Sequence, residues 1–149
     1  MHEVPFHWTV TVDPLTTAIG FVHVQVERSL GPRVSVYAGP SLRLFDGVLA
    51  DTNGPYVGLG GEAGVRGFFA GSAPEGGWVM ARGVAARLST SDEARFGGYT
   101  SGLVGYTGVL GRGLVLSGGL GVSYFAYEVG GYGVAGLAPA AHTNVGWAF

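Results

Sequence analysis

The last nine residues, Ala141-His142-Thr143-Asn144-Val145-Gly146-Trp147-Ala148-Phe149, decide how the rest of the chain is read. Thr143, Val145, Trp147 and Phe149 share one parity, and His142, Asn144, Gly146 and Ala148 share the other. That period of two belongs to a pleated strand. One face is apolar and finishes in aromatic rings. In water such a strand exposes a terminal phenylalanine and an edge that invites pairing with other chains. In a closed membrane barrel the same strand pairs with the first one, and its rings sit where bilayer meets water.

Composition points the same way. Asp, Glu, Lys and Arg make up 12% of the 149 residues and hydrophobic residues 47%, with 29 glycines. A soluble domain needs about a quarter to a third of its surface charged, which this chain cannot supply. The charge-free stretch from Val129 to Phe149 is broken by glycines and Pro139, so no segment reads as a transmembrane helix. Only helices and closed barrels satisfy their backbone in lipid, which leaves the barrel. The length suits one domain, spanning 1–149. With a net charge of -2 and no lysine, nucleic acid is excluded as a partner. No cysteine is present, so disulfides and thiolate chemistry are excluded as well. Met1-His2-Glu3-Val4-Pro5 lacks the basic and apolar regions of a secretory signal. The expectation is a mature chain whose signal peptide has been removed, with Met1 supplied for expression.

Taken in order, the alternation predicts strands over 6–13, 18–28, 33–45, 56–69, 78–89, 99–110, 114–127 and 141–149. Turn compositions separate them at 13–17, 29–32, 46–55, 71–77, 90–98, 111–113 and 129–136. The facing of 78–89 is open because Arg82 and Arg87 fall on opposite parities, and glycine blurs 99–110. Eight strands, an even number, predict an all-β, antiparallel, up-and-down transmembrane barrel. Both termini are then periplasmic, with the turns at 29–32, 71–77 and 111–113 on their side. Phe6, Trp8, Phe69, Trp78, Trp147 and Phe149 map to the periplasmic rim. Phe45, Tyr56, Tyr99, Tyr124, Phe125 and Tyr127 map to the outer one.

Three stretches, Asp13-Pro14-Leu15, Val26-Glu27-Arg28-Ser29-Leu30 and 66–76 (RGFFAGSAPEG), resemble a family of small, functionally unassigned bacterial outer-membrane barrels with OmpX/OmpA-like architecture. The C-terminus also resembles the signal of outer-membrane proteins, a final aromatic after alternating apolar residues. The resemblance implies an outer-membrane location, contact with membrane lipids and handling by the insertion machinery of that membrane. It carries no catalytic signature.

The polar parity predicts a lumen holding His7, His23, Gln25, Glu27, Arg33, Tyr37, Arg43, Glu62, Arg66, His142 and Asn144, with Arg82 at mid-depth. An eight-stranded interior is just wide enough to be filled by side chains, so its charges must pair. The expected pairs are Glu27 with Arg33 near the periplasmic end, and Glu62 with Arg66 and Arg82. A filled lumen points to a structural or surface-interaction barrel without catalysis, and the chain is expected as a monomer. A porin-like path of low conductance for ions or small solutes is the first alternative.

The other readings are weaker. No two histidines have the i, i+2 or i, i+4 spacing of a metal site on one element, and no cofactor is expected. For a lipid-modifying enzyme, His142-Thr143-Asn144 is similar to the His-x-Ser-Asn stretch of lipid A deacylases. Thr143 occupies its middle, and no serine lies two residues after His142, so the nucleophile is missing. A glycine cluster at 58–64 precedes no helix and makes no phosphate loop. A lipocalin-like soluble barrel would invert every parity and leave two aromatic rims lining its cavity.

Overall fold

A computed structural model of the chain describes residues 6–18, 21–43, 57–89, 94–129 and 132–149. Eight strands, β1 (Trp8–Val12), β2 (Phe21–Gly31), β3 (Val34–Arg43), β4 (Val57–Ser72), β5 (Glu75–Ser89), β6 (Ala94–Leu110), β7 (Leu114–Val129) and β8 (Tyr132–Ala148), close into one barrel. Every neighbour is antiparallel, and β8 closes onto β1 through Val10↔Trp147 and Val12↔Val145. The final residue takes part. Phe149 donates its amide to the Trp8 carbonyl at 2.8 Å, and Trp8 returns its own to Phe149 at 3.0 Å.

Several boundaries differ from the sequence expectation. β8 begins at Tyr132, so most of 129–136 is strand, and β6 begins at Ala94, inside the expected loop at 90–98. Both stretches are paired from their first residue, Ala94 with Ser89 and Tyr132 with Val129, so pairing with the preceding strand overrides their turn-like composition. The turn expected at 71–77 shrinks to Ala73 and Pro74. At Gly111-Arg112-Gly113 the tight reversal places Gly111 at φ 56° and Gly113 at φ 123°, a region where a side chain is strained. The expected turn at 13–17 is a short helix, α1 (Pro14–Ala18). Its first residue is proline, and Asp13 Oδ1 accepts from the Leu15 and Thr16 amides at 2.9 and 3.2 Å, a side-chain cap.

The registers fix how the strands lean. A ladder followed from Val12 passes Val24, Pro40, Gly61, Ala85, Gly98 and Ala126 to reach β8 at Ala135, whereas Val12 itself faces Val145. The barrel therefore closes with a shear of ten residues, from 135 to 145. With about 3.3 Å per residue and about 4.8 Å between strands, that shear tilts the strands by about 41°.

The seam is uneven. β1 covers β8 from Val145 to Ala148, and beyond it α1 lies against both β2 and β8, the Leu15 amide donating to Thr143 Oγ1 at 3.2 Å. No described strand lies along the β1 side of β8 above Val145. Ala148 donates toward β7 and Phe149 toward β1, so odd-numbered residues of β8 address the uncovered side. Pro139 is one of them, and proline, lacking a donor, suits an edge without a partner strand.

Side chains alternate through the wall as the pleat demands. Val10, Val26, Leu59, Val65, Val79, Val104, Leu116, Leu120, Val122 and Val145 are exposed outside. Thr9, Thr11, His23, Gln25, Glu27, Ser35, Glu62, Arg66, Arg82, Ser101, His142 and Asn144 are buried inside. This is the reverse of a soluble barrel. The interior is tightest at the end bearing the short turns, where Tyr37, Phe68, Trp78, Met80 and Leu103 cluster. Glycine makes room there: a Cβ on Gly64 would lie 2.5 Å from the Tyr37 ring, and one on Gly105 would lie 2.5 Å from Trp78 Cζ2.

Candidate functional site: the lumen network

Arg66 is the hub of the lumen. It is 1% exposed, projecting inward from β4. Its Nη1 donates to Glu27 Oε2 at 2.6 Å and its Nη2 to His142 Nε2 at 2.8 Å. Its Nε lies 3.4 Å from Met80 Sδ, and its guanidinium carbon sits 5.3 Å from the Tyr37 ring centroid and 4.9 Å from that of Trp78. Ser35 also donates to Glu27, and Thr9 Oγ1 lies 3.5 Å from the same carboxylate. A buried guanidinium between two rings, with a carboxylate and an imidazole on its fork, is a satisfied charge.

A second group lies around Glu62. Gln25 Nε2 donates to Glu62 Oε1 at 2.5 Å, and Asn144 Nδ2 donates to Gln25 Oε1 at 2.6 Å. His23 Nδ1 lies 3.6 Å from Glu62 Oε2, and its Nε2 meets Ser41 Oγ at 3.2 Å. The third group starts at Trp78, whose indole N–H donates to Thr107 Oγ1 at 2.8 Å, with Ser117 Oγ 2.7 Å beyond.

These contacts redraw the expected pairs. Arg33 does not enter the lumen: it is exposed at the turn between β2 and β3, with Nη1 3.4 Å from the Phe68 and Phe69 carbonyls. Glu27 is paired with Arg66 instead, two strands away. Glu62 is held by Gln25 and His23, not by Arg66 or Arg82. Tyr37 is inside and 3% exposed. The side chain of Arg43 lies outside the described residues. Gln25 and Asn144, which lack charge, extend the Glu62 group from β4 across β2 to β8.

Trp78 and Tyr99 are corrected as well. Trp78 is not a rim residue: it is 0% exposed and fills the lumen, sharing parity with Met80 and Arg82. Tyr99 also faces inward, its ring 5.5 Å from the Arg82 guanidinium carbon. Trp8, Phe69, Trp147 and Phe149 are exposed at the turn end, with Phe6 partly so, and Tyr124 is exposed toward the other end. Phe45 and Tyr56 lie outside the described residues, as do the side chains of Phe125 and Tyr127.

His142 is 0% exposed and points inward. Arginine can only donate, so the ring nitrogen facing Arg66 accepts and Nδ1 carries the ring proton, 3.9 Å from Asp13 Oδ2. Thr143 Oγ1 donates to Asp13 Oδ1 at 2.7 Å. Neither side chain is arranged as a nucleophile and base facing outward. Among the described residues no three His, Asp or Glu side chains converge as a metal site. No family model, curated protein or solved structure matches the chain.

Proposed function

We propose that the chain is an integral barrel of a bacterial outer membrane, closed to flow in its turn half, with a structural or surface-interaction role. The observation that carries this is the distribution of charge on the outer wall. Among the described side chains, the charges on the outward parity within the strands are Arg28, 5.2 Å from the Trp8 ring, Arg87, 5.8 Å from the Phe96 ring, and Glu75, the first residue of β5 beside its turn. These charges lie at the two rims, and among the described side chains the wall between them is uncharged. Tyr124 pairs with Leu137, ten residues up β8 from Trp147. Ten residues at about 3.3 Å, tilted by about 41°, rise about 25 Å, the height of the apolar band of an outer-membrane barrel.

The short turns between β2 and β3, β4 and β5, and β6 and β7 share an end with both termini, which supports a periplasmic setting for that end. Lipids are then the main partner, and the barrel reaches them through the membrane's insertion machinery as a monomer. Trp78, Met80, Phe68 and Arg66 fill the turn half, which favours this reading over a low-conductance pore. The buried, arginine-bound His142 favours it over a lipid-modifying enzyme.

Two measurements test the proposal. Refolded into detergent, the unboiled chain is expected to migrate differently on a gel from the boiled one; solubility in plain buffer without such a shift would overturn the membrane reading. Leu120 is 69% exposed and pairs with Ala141 near mid-height. Leu120→Arg is expected to cost about 2 to 4 kcal/mol of stability in a bilayer, and Phe96→Arg at the rim only about 0 to 1 kcal/mol. Equal costs from unfolding in lipid vesicles would mean that the wall does not face hydrocarbon.

A further inference from the structure

The outer wall is not evenly covered. Between β3 and β7 it sinks into a groove whose floor is two paired rows of small side chains, Pro40 with Gly61 and Ala85, and Ala38 with Ala63 and Gly83. Larger residues bank it on both sides. Leu42, Leu59, Arg87 and Phe96 are paired in turn on the loop side of the floor, and Val36 is paired with Val65 on the turn side. Tyr124, 49% exposed, closes the β7 end.

Packing within the barrel does not require glycine on this floor. Gly61 and Gly83 have no positive φ. A Cβ on Gly83 would meet nothing within 4 Å, and one on Gly61 would make an ordinary contact of 3.7 Å with the Gly39 carbonyl. A β-branched residue would fit either position and suit a strand better. Gly64 and Gly105 leave room for rings inside the lumen, whereas these two keep space open outside it.

The groove is polar at one end only. With strands tilted by about 41°, each residue climbs about 2.5 Å and each step to the next strand about 3.1 Å. Arg87 lies two strands and four residues on from Ala38, and so stands about 16 Å above it along the barrel axis. That is the hydrocarbon depth of one leaflet, about 15 Å. The deep end holds Ala38, Pro40 and Ala63. Thr100 and Tyr124 bring hydroxyls to the upper end, and Arg87 is exposed at the rim, its guanidinium carbon 5.8 Å from the Phe96 ring. An occupant is therefore anionic at the interface and apolar for the depth of a leaflet.

We infer that the groove seats one membrane lipid of the leaflet at the loop end, with its anionic phosphate on Arg87 and one acyl chain over Gly61, Gly83 and Ala63. Phosphate is the anion a bilayer presents at that level, and the fork of arginine meets two of its oxygens together. Thr100 stands below Arg87, where it can donate to an ester carbonyl. The inference rests on the membrane reading of the outer wall.

The test is native mass spectrometry of the full chain refolded in detergent and supplied with dimyristoylphosphatidylglycerol or dimyristoylphosphatidylcholine, which share their chains and differ in head charge. The parent is expected to retain one phosphatidylglycerol in preference to phosphatidylcholine. Arg87→Gln should reduce that preference about fivefold, the effect of one basic residue at an anionic surface. Gly83→Phe, which lays a ring on the floor, should lower retention of both lipids about fivefold or more. Arg28→Gln at the opposite rim and Val79→Phe on the wall outside the groove are expected to behave like the parent. Equal retention by the parent, Arg87→Gln and Gly83→Phe overturns the site, as does an equal loss in the two controls. A dimer that Gly83→Phe breaks, with lipid retention unchanged, overturns the lipid and gives the groove to a second copy. A boiled-versus-unboiled gel shift in each variant confirms that it folds. Absence of that shift from the parent overturns the membrane reading and the lipid with it, whereas a shift with equal retention overturns the lipid site alone.

Discussion

Arg66→Ala is expected to destabilise the barrel by about 3 to 5 kcal/mol, because it leaves the Glu27 carboxylate buried and unpaired. Glu27 is 3% exposed, and its other contacts are Ser35 and, more distantly, Thr9. Hydroxyls soften a buried charge without neutralising it. His142 loses the donor to its Nε2 in the same change, and the rings of Tyr37 and Trp78 lose the cation between them. Urea titration in detergent, read as the loss of the heat-modifiable band, gives the midpoint shift. The double variant Glu27→Gln with Arg66→Met separates the causes, since it removes both charges and keeps the volume. It is expected to recover most of the loss, as replacing both members of a buried pair is often near neutral. If the double variant were as unstable as Arg66→Ala, packing rather than charge would account for the effect. An unchanged midpoint in Arg66→Ala would mean that Arg66 is not the hub.

How far the lumen was legible in the sequence follows from the same residues. Strands with a polar row opposite a valine row, such as His23, Gln25 and Glu27 against Val22, Val24 and Val26, declare which face is inside. β6 does not: Gly98, Thr100 and Gly102 face out, Tyr99, Ser101 and Leu103 face in, and the two rows are alike in hydropathy. Trp78 reads from the sequence as a rim residue because it lies next to a turn, where aromatic residues of a membrane barrel gather, yet it is buried in the lumen. Its parity with Arg82 carried the right signal, since Arg87 on the other parity lies close to the loop end, where an outward charge is tolerated.

The pairs failed for a different reason. Arg33 is close to Glu27 in sequence across a tight turn, but that turn lifts it to the rim. Arg66 reaches Glu27 from a strand that is not a neighbour, because the tilt and the narrow bore bring β2, β4 and β8 to one level. Alternation says which residues enter a lumen. Which of them meet depends on shear, and shear is set by registers that a single chain does not display. The large seam offset, with the end of β1 at Val145 lying thirteen positions along β8 from its start at Tyr132, is of the same kind. Pro139 was its one local sign.

Trp78→Ala is expected to have two effects of different sign on different measurements. The indole is fully buried, is bonded to Thr107 at 2.8 Å, and fills the space opposite Gly105 and Gly119, where a Cβ would lie 2.5 Å from its ring. Those glycines cannot close the gap, having no side chain to move into it. Removing the ring therefore leaves a cavity and unpairs the Thr107–Ser117 hydroxyls from their donor, a loss of about 3 to 5 kcal/mol. The same cavity lies across the packed half of the bore, and although Phe68, Met80 and Leu103 line part of it, Arg66, Thr107 and Ser117 give water polar partners there. In planar bilayers the parent is expected to hold a flat baseline and Trp78→Ala to pass current. Trp78→Phe, which keeps most of the ring but not its N–H, should remain closed while losing about 1 to 3 kcal/mol from the unmet hydroxyl and smaller volume. Conductance in the parent would favour the pore over the sealed barrel. A destabilised but silent Trp78→Ala would show that the neighbouring side chains, Met80 and Phe68 above all, collapse into the space and seal the lumen without it.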